Sequence, residues 1–173
     1  NEEDYLADCL NAVMAQTVKP YEIIVVDNNS TDNTGAIAKS FKGVKVIVQE
    51  VPGIAATRNL GFDEATGYII ARTDADTRPD TNWLERTLRS MTSDVHAVTG
   101  PIYYYDLPAQ KLLERLGVYI QGKLAGRKNR PRFLAGANMA IRKDTWQKVS
   151  GKLCQIDNTH EDLDLAIHLI NNG

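Results

Sequence analysis

The sequence predicts an α/β fold: a mostly parallel sheet sandwiched between helices in three layers. Three observations lead there. Short β-branched runs alternate with segments of helical period, the connections between them are short, and polar residues gather just after the carboxyl ends of the runs.

Tyr5, Leu6, Cys9, Leu10 and Val13 fall at helical spacing and open the chain in a helix. After Pro20 comes EIIVVD, Glu22 to Asp27, which is apolar throughout like a strand buried on both faces. NNSTDNTG is turn and capping chemistry, followed by a helix through Ile37 to Phe41. Val44 to Val48 reads as the next strand. Pro52-Gly53 turns the chain into a small-residue helix from about Ile54 to Ala65, capped by Gly67. Tyr68 to Asp76 is a third strand ending in acids, and Asp80 is placed to cap a helix whose Trp83, Leu84, Thr87, Leu88 and Met91 share a face.

Beyond Met91 the rhythm loosens. VHAVTGPIYYYD reads as a strand with an aromatic continuation, and Leu112, Leu113, Leu116, Ile120 and Leu124 as a helix. A basic loop with Arg127, Lys128, Arg130 and Arg132 leads into FLAGANMAIRK, another strand-like run. Asp144 to Val149 is a short helix, and a last helix begins near Glu161-Asp162 with Leu165, Ala166, Leu169 and Ile170 on one side. A helix as first element and an unpartnered helix as last give the expectation of a longer natural protein.

The chain has 173 residues, room for one α/β domain. A net charge of -2 offers no basic field for nucleic acid. No apolar run approaches the roughly 18 residues of a membrane span. Cys9 and Cys154 have no metal-ligand spacing and read as reduced thiols, which points to a cytoplasmic setting.

Ligands of open α/β sheets bind outside the carboxyl ends of the strands. Asp27, Asn28, Asn29 and Ser30 follow one strand, Asp74 and Asp76 end another, and Arg58-Asn59 lies on the helix between. Two carboxylates aimed together repel unless a cation separates them, so Asp74 and Asp76 suit Mg²⁺ or Mn²⁺, which also holds a diphosphate. The plain alternative is a pair of solvated loop acids. Arg58 has a guanidinium fork for a phosphate, or else pairs with Asp63 or Glu64 on the helix surface. No glycine-rich phosphate loop of either common type is present. In THEDLDL, Glu161, Asp162 and Asp164 favour a helix start; one of them is also available as a general base.

EIIVVDNNSTDNT, GIAATRNLG, ARTDADTRPD, FLAGANMAIRK and THEDLDL stand in the order and rough spacing of family 2 glycosyltransferases. The chain resembles the GT-A catalytic domain of that inverting family over nearly its whole length. The resemblance implies one catalytic domain, its nucleotide-binding part about residues 1–100 and its acceptor-binding part about 101–173. It places Asp27 and Asn28 at the donor's base and ribose and Arg58 at its diphosphate. Asp76 becomes the direct metal ligand, with Asp74 nearer the ribose. Gly136, Ala137 and Asn138 lie against the transferred sugar. Asp162 is the base, with Glu161 as the second candidate. The resemblance further implies a UDP- or GDP-linked sugar as donor and a saccharide or lipid-linked hydroxyl as acceptor, in envelope, polysaccharide or glycolipid synthesis, at the cytoplasmic face of a membrane. The basic loop is a solvated connection or a grip on phosphates or an anionic surface.

The chain departs from the family at Asn28, where many members carry a second aspartate, and in lacking the family's first strand, which implies a gap in the sheet. Two other readings share the α/β plan: a nucleotidyltransferase that makes a sugar nucleotide, and a non-catalytic sugar-nucleotide-binding module.

Overall fold

The computed structural model describes residues 1–102, 134–154 and 161–172. The expected helix over 112–124, the basic loop and His160 lie outside the described residues. Helix α1 (Leu6–Met14) precedes β1 (Ile23–Asp27), α2 (Thr34–Ser40), β2 (Val44–Val48), α3 (Ile54–Glu64), β3 (Ile69–Arg72) and α4 (Trp83–Ser90). Then come β4 (Ala97–Thr99), a 3-10 turn (Gly136–Asn138), β5 (Met139–Arg142), α5 (Lys143–Val149) and α6 (Glu161–Asn172).

The strands form two sheets. β1 and β2 pair in parallel, Ile23 opposite Val44 and Asp27 opposite Val48. In the second, β5 lies between β3 and β4 and runs antiparallel to both. The expected parallel order therefore fails at β5, which starts beside the carboxyl end of β3 after the 3-10 turn and runs back down the sheet.

Period-two alternation in β1 explains the layers. Ile23 and Val25 pack with Leu6, Leu10 and Ala38 of α1 and α2. Ile24 faces the other way, toward the larger core of Phe62, Ile70, Met139, Ile141, Trp146, Val149 and Leu165, to which α3, α5 and α6 contribute. Phe62 and Trp146 meet edge to face at 5.0 Å, and Trp146 Nε1 donates to Asp63 Oδ1 at 2.6 Å.

β1 is half-buried along its length rather than buried. The reason is the expected gap: β1 and β3 are not hydrogen-bonded to each other. An apolar cavity of about 800 Å³ separates them, lined by both strands, α1, α3 and α4. The buried Thr73 hydroxyl at its edge has no hydrogen-bond partner among the described residues.

Three local expectations change. α3 ends at Glu64 with Ala65 as its C-cap, while Thr66 and Gly67 give their backbone N–H groups to Glu22 Oε1 at 2.7 and 3.1 Å. α4 is capped from a distance: Gln16, 1% exposed, accepts the Leu84 N–H and donates to the Asp80 carbonyl at 2.7 Å. Asp80 instead pairs with Arg86. Finally, β3 stops at Arg72, so Asp74 and Asp76 lie in a turn closed by the Thr77 N–H on the Asp74 carbonyl, not along an extended strand end. Among the described residues no helix is long and apolar enough to cross a membrane, and both cysteines are free thiols.

Candidate functional site

The carboxyl end of β3, the 3-10 turn and the start of α6 converge on an acidic cluster organised around Arg72. Its side chain is 16% exposed. Nη1 lies 3.1 Å from Asp162 Oδ1 and 3.5 Å from Glu161 Oε1, and Nη2 lies 3.4 Å from Asp74 Oδ1. The Gly136 N–H donates to the other Asp162 oxygen at 2.8 Å. One guanidinium thus joins the acids after β3 to the acids that open α6.

Gly136 is the close-approach residue of this arrangement. A Cβ there would stand 2.7 Å from Asp162 Oδ2 and 2.8 Å from Arg72 Cζ. Only glycine lets the 3-10 turn bring its amide onto the carboxylate.

Burial raises the pKa of the Asp162 carboxyl; Arg72 opposes the shift and Glu161 adds to it. Burial likewise raises Asp74, again opposed by Arg72 and reinforced by Asp76. A carboxylate raised toward neutrality is a better proton acceptor than a solvated one.

Arg58 does not reach toward solvent. It is 4% exposed. Nη1 donates to the Glu161 carbonyl at 2.6 Å, and Nε and Nη2 donate to Asn59 Oδ1 at 3.1 and 2.9 Å. Its guanidinium lies 6.0 Å over the Trp146 ring. The pairing with Asp63 or Glu64 is not formed: Asp63 accepts from Trp146, and Glu64 pairs with Lys45 at 2.7 Å. Arg58 ties α3 to the first residue of α6.

Asn28 is also engaged. Its Nδ2 donates to the Gln49 and Val51 carbonyls, each at 3.0 Å, and its Oδ1 accepts the Gly53 N–H at 3.1 Å. An aspartate has no donors for those carbonyls, which accounts for this departure from the Asp-Asp pattern. Asp27 Oδ1 accepts the Ser30 N–H at 3.1 Å, and its other oxygen abuts Gly35, where a Cβ would be 2.8 Å away. The Asn138 amide is spent inside the protein, accepting from Trp83 Nε1 at 2.9 Å and donating to the Pro101 carbonyl at 2.8 Å. Ala137 sits between it and Gly136 in the 3-10 turn.

Among the described residues no three His, Cys, Asp or Glu side chains form a ready metal cage. Mg²⁺ and Mn²⁺ need fewer: one or two carboxylates suffice when substrate phosphates and water complete the octahedron. Asp74 and Asp76 fit that pattern, since Asp76 disfavours the charge of Asp74 and a cation between them relieves it. Cys9 lies behind them, its Sγ 3.5 Å from the Asp74 carbonyl. Burial, then Asp76 and Asp74, push its thiol up to about 11, so it stays protonated and does not compete as a thiolate ligand.

Sequence reasoning missed Arg72. The signal was present: a cation two residues before an acid pair, inside an otherwise apolar strand.

Comparison with known proteins follows the same lines. Glycosyltransferase AglE of Haloferax volcanii is 29% identical over 157 residues, covering 86% of this chain and 52% of that protein. Glycosyltransferase GlyA of Streptococcus pneumoniae is 37% identical over 90 residues, 50% of this chain and 12% of that one. The chain thus spans about half the length of the first relative, or less in the second. Among solved structures, the mannosyltransferase PcManGT of Pyrobaculum calidifontis, in complex with GDP-Man and Mn²⁺, superposes with a TM-score of 0.72 at 20% identity, covering 95% of this chain and 47% of that one. Glucosyl-3-phosphoglycerate synthase of Mycobacterium tuberculosis, with Mn²⁺, UDP-Glc and phosphoglyceric acid, gives 0.68 at 18%, covering 99% and 62%. These likenesses show the fold, which is GT-A. The family model described as Glycosyl transferase family 2 matches residues 1–149, which include the β1 and β3 ends and the Gly136 turn, and on that match the chain belongs to glycosyl transferase family 2.

Proposed function

We propose that this chain is the catalytic domain of a metal-dependent, inverting glycosyltransferase that moves a sugar from a UDP- or GDP-linked donor to the hydroxyl of a saccharide or lipid-linked acceptor. The observation that carries the reading is Arg72, which spans from Asp74 at 3.4 Å to Asp162 at 3.1 Å and so brings donor-side acids and a proton acceptor into one site.

In this reading Asp27 faces the donor nucleoside. Asp74 and Asp76 would hold Mg²⁺ or Mn²⁺, and that cation would supply neutralisation of the leaving group's charge. Asp162 takes the acceptor proton as the acceptor oxygen bonds to the anomeric carbon and the bond to the diphosphate oxygen breaks on the opposite face. One displacement inverts the centre and needs no nucleophile from the protein. Glu161, 18% exposed and on the same guanidinium, is the second candidate base. Gly136 and Ala137 border the transferred sugar. Asn28, Arg58 and Asn138 are assigned to holding the surrounding loops and α6 rather than to direct ligand contact. The relatives' names support glycosyl transfer; a role in envelope, polysaccharide or glycolipid synthesis, at the cytoplasmic face of a membrane, belongs to the same proposal.

Calorimetric titration of UDP and GDP, first with Mn²⁺ and then with EDTA, tests the donor site. The reading expects metal-dependent binding of one nucleotide. Incubation with UDP- and GDP-linked sugars and a saccharide panel then expects release of nucleoside diphosphate. Release of pyrophosphate from sugar phosphate and nucleoside triphosphate would instead establish the nucleotidyltransferase, and binding without turnover the binding module.

A further inference from the structure

We propose that Arg72 is a positioning residue for glycosyl transfer: its guanidinium holds the Asp162 carboxylate in the orientation set by the Gly136 N–H and at fixed spacing from the Asp74 end of the site. The inference rests on the glycosyl-transfer reading.

Arg72 pairs with Met139 in the β3–β5 ladder, two residues beyond Ile70. Residues two apart on a strand share a face, and Ile70 belongs to the core beside Leu165 and Ala166 of α6. Arg72 therefore continues a core row and emerges against the first turn of that helix. A cation in so enclosed a place is costly unless fully paired, and a leucine or isoleucine would extend the core without that cost. What the arginine adds is geometry. Its planar fork reaches Asp162 and Glu161 with Nη1 and Asp74 with Nη2, which a lysine's single point charge cannot do.

The fit also leaves no slack. The site where a Gly136 Cβ would stand is within 2.8 Å of both the guanidinium and the Asp162 carboxylate. A second arginine adds a tie: Arg58 holds the Glu161 carbonyl from α3 at 2.6 Å. Arg58 fixes the backbone at the start of α6, and Arg72 fixes the side chain that does the work.

The test compares Arg72→Met and Arg72→Lys with the parent protein in two readouts. The first is nucleoside diphosphate release from the donor that turns over, resolved into kcat and KM. The second is the NMR shift of the Gly136 amide proton without ligand, which reports its bond to Asp162. Arg72→Met is expected to lower kcat by about 10- to 100-fold, the scale of a small misplacement of a reacting group, with donor KM within about threefold. Its Gly136 amide proton should move upfield, and Arg72→Lys should recover part of both effects. A kcat within threefold of the parent, a loss confined to KM, or an unmoved Gly136 amide overturns the proposal. If Arg72→Met does not fold, Gly136→Ala keeps the guanidinium but forces it from Asp162; the same kcat-selective loss is expected, and normal kcat overturns the proposal. Absence of turnover by the parent protein with every donor counts against glycosyl transfer itself, and the Gly136 amide in Arg72→Lys still decides whether Arg72 holds Asp162.

Discussion

Replacing Asn28 with aspartate separates two uses of that residue. In the structure the Asn28 side chain straps down residues 49–53: Nδ2 donates to the carbonyls of Gln49 and Val51 at 3.0 Å each, and Oδ1 accepts from Gly53. The Asn28→Asp side chain would keep the Gly53 bond, lose both donors and turn a carboxylate oxygen toward two carbonyl oxygens. Each lost bond is worth about 1 kcal/mol, and the repulsion, screened at this partly exposed position, brings the cost to about 2–3 kcal/mol. For a chain of this size that lowers Tm by about 4–12 °C. Calorimetry at neutral pH measures it. The deficit should narrow in acid, because an oxygen-lined carboxyl protonates readily and regains one donor. If Asn28 instead reads the donor base, a carboxylate would accept a uracil imide N–H more strongly. UDP binding would then tighten with Tm unchanged, and that pair of results refutes the strap.

Three further outcomes follow from the site. Asp162→Asn should lower turnover by about two to four decades, the range for loss of a general base, while calorimetric nucleotide affinity holds; full activity would remove Asp162 from the role. Asp76→Ala should abolish Mn²⁺-dependent binding of UDP or GDP, and unchanged metal dependence would refute the metal assignment. The pH dependence of Tm has a definite sign: Asp74 and Asp162 titrate above the usual carboxylate range in the fold, so the native state holds protons that the unfolded chain has released. Stability therefore declines as pH rises from the ordinary carboxylate pKa through their raised values. Glu22, lowered despite the opposing effect of burial by its bonds from Thr66 and Gly67, acts lower and in the opposite sense, losing its contribution as pH falls. A Tm that climbs through the upper window would contradict the raised pair.

The element order was legible because it depends largely on local signals: an apolar run of matching spacing for Ile23–Asp27 and Leu6–Met14, and the Pro52-Gly53 turn before the small-residue helix Ile54–Glu64. The placement of Asp27, Asp74 and Asp162 was legible too, since each ends, follows or opens such an element. What the sequence hid are partners distant in the chain. Arg58 meets Glu161 across 103 residues, Arg72 meets Asp162 across 90, and Gln16 caps a helix 68 residues on. Nothing in local period marks a buried arginine that will bind a carbonyl, or a glutamine that will serve as a remote cap. The direction of β5 was hidden for a related reason: Met139–Arg142 has the pattern of any buried strand, and only its pairing between β3 and β4 reveals that it runs backward. The turn after Arg72 escaped because TDAD carries no glycine or proline to announce it.

The acids that open α6 pose one further question, since any helix favours carboxylates in its first turn and capping alone would account for them. Their partners distinguish them. Asp164 accepts the Cys154 N–H at 2.9 Å and lies 3.5 Å from His168 one turn along the helix, contacts that fasten the 150–154 segment to α6. Asp162 spends its oxygens on Arg72 of β3 and Gly136 of the 3-10 turn, both at the carboxyl end of β3. A role in stability and a role in chemistry therefore predict opposite results for two acids two residues apart. Asp164→Ala should cost about 1–2 kcal/mol through the lost hydrogen bond and leave turnover within about threefold. Asp162→Ala should remove turnover at any temperature where the protein is folded. If instead Asp164→Ala removes turnover from a folded protein while Asp162→Ala does not, the proton acceptor is Asp164, and the Arg72–Asp162 pair is a packing contact of the α6 start.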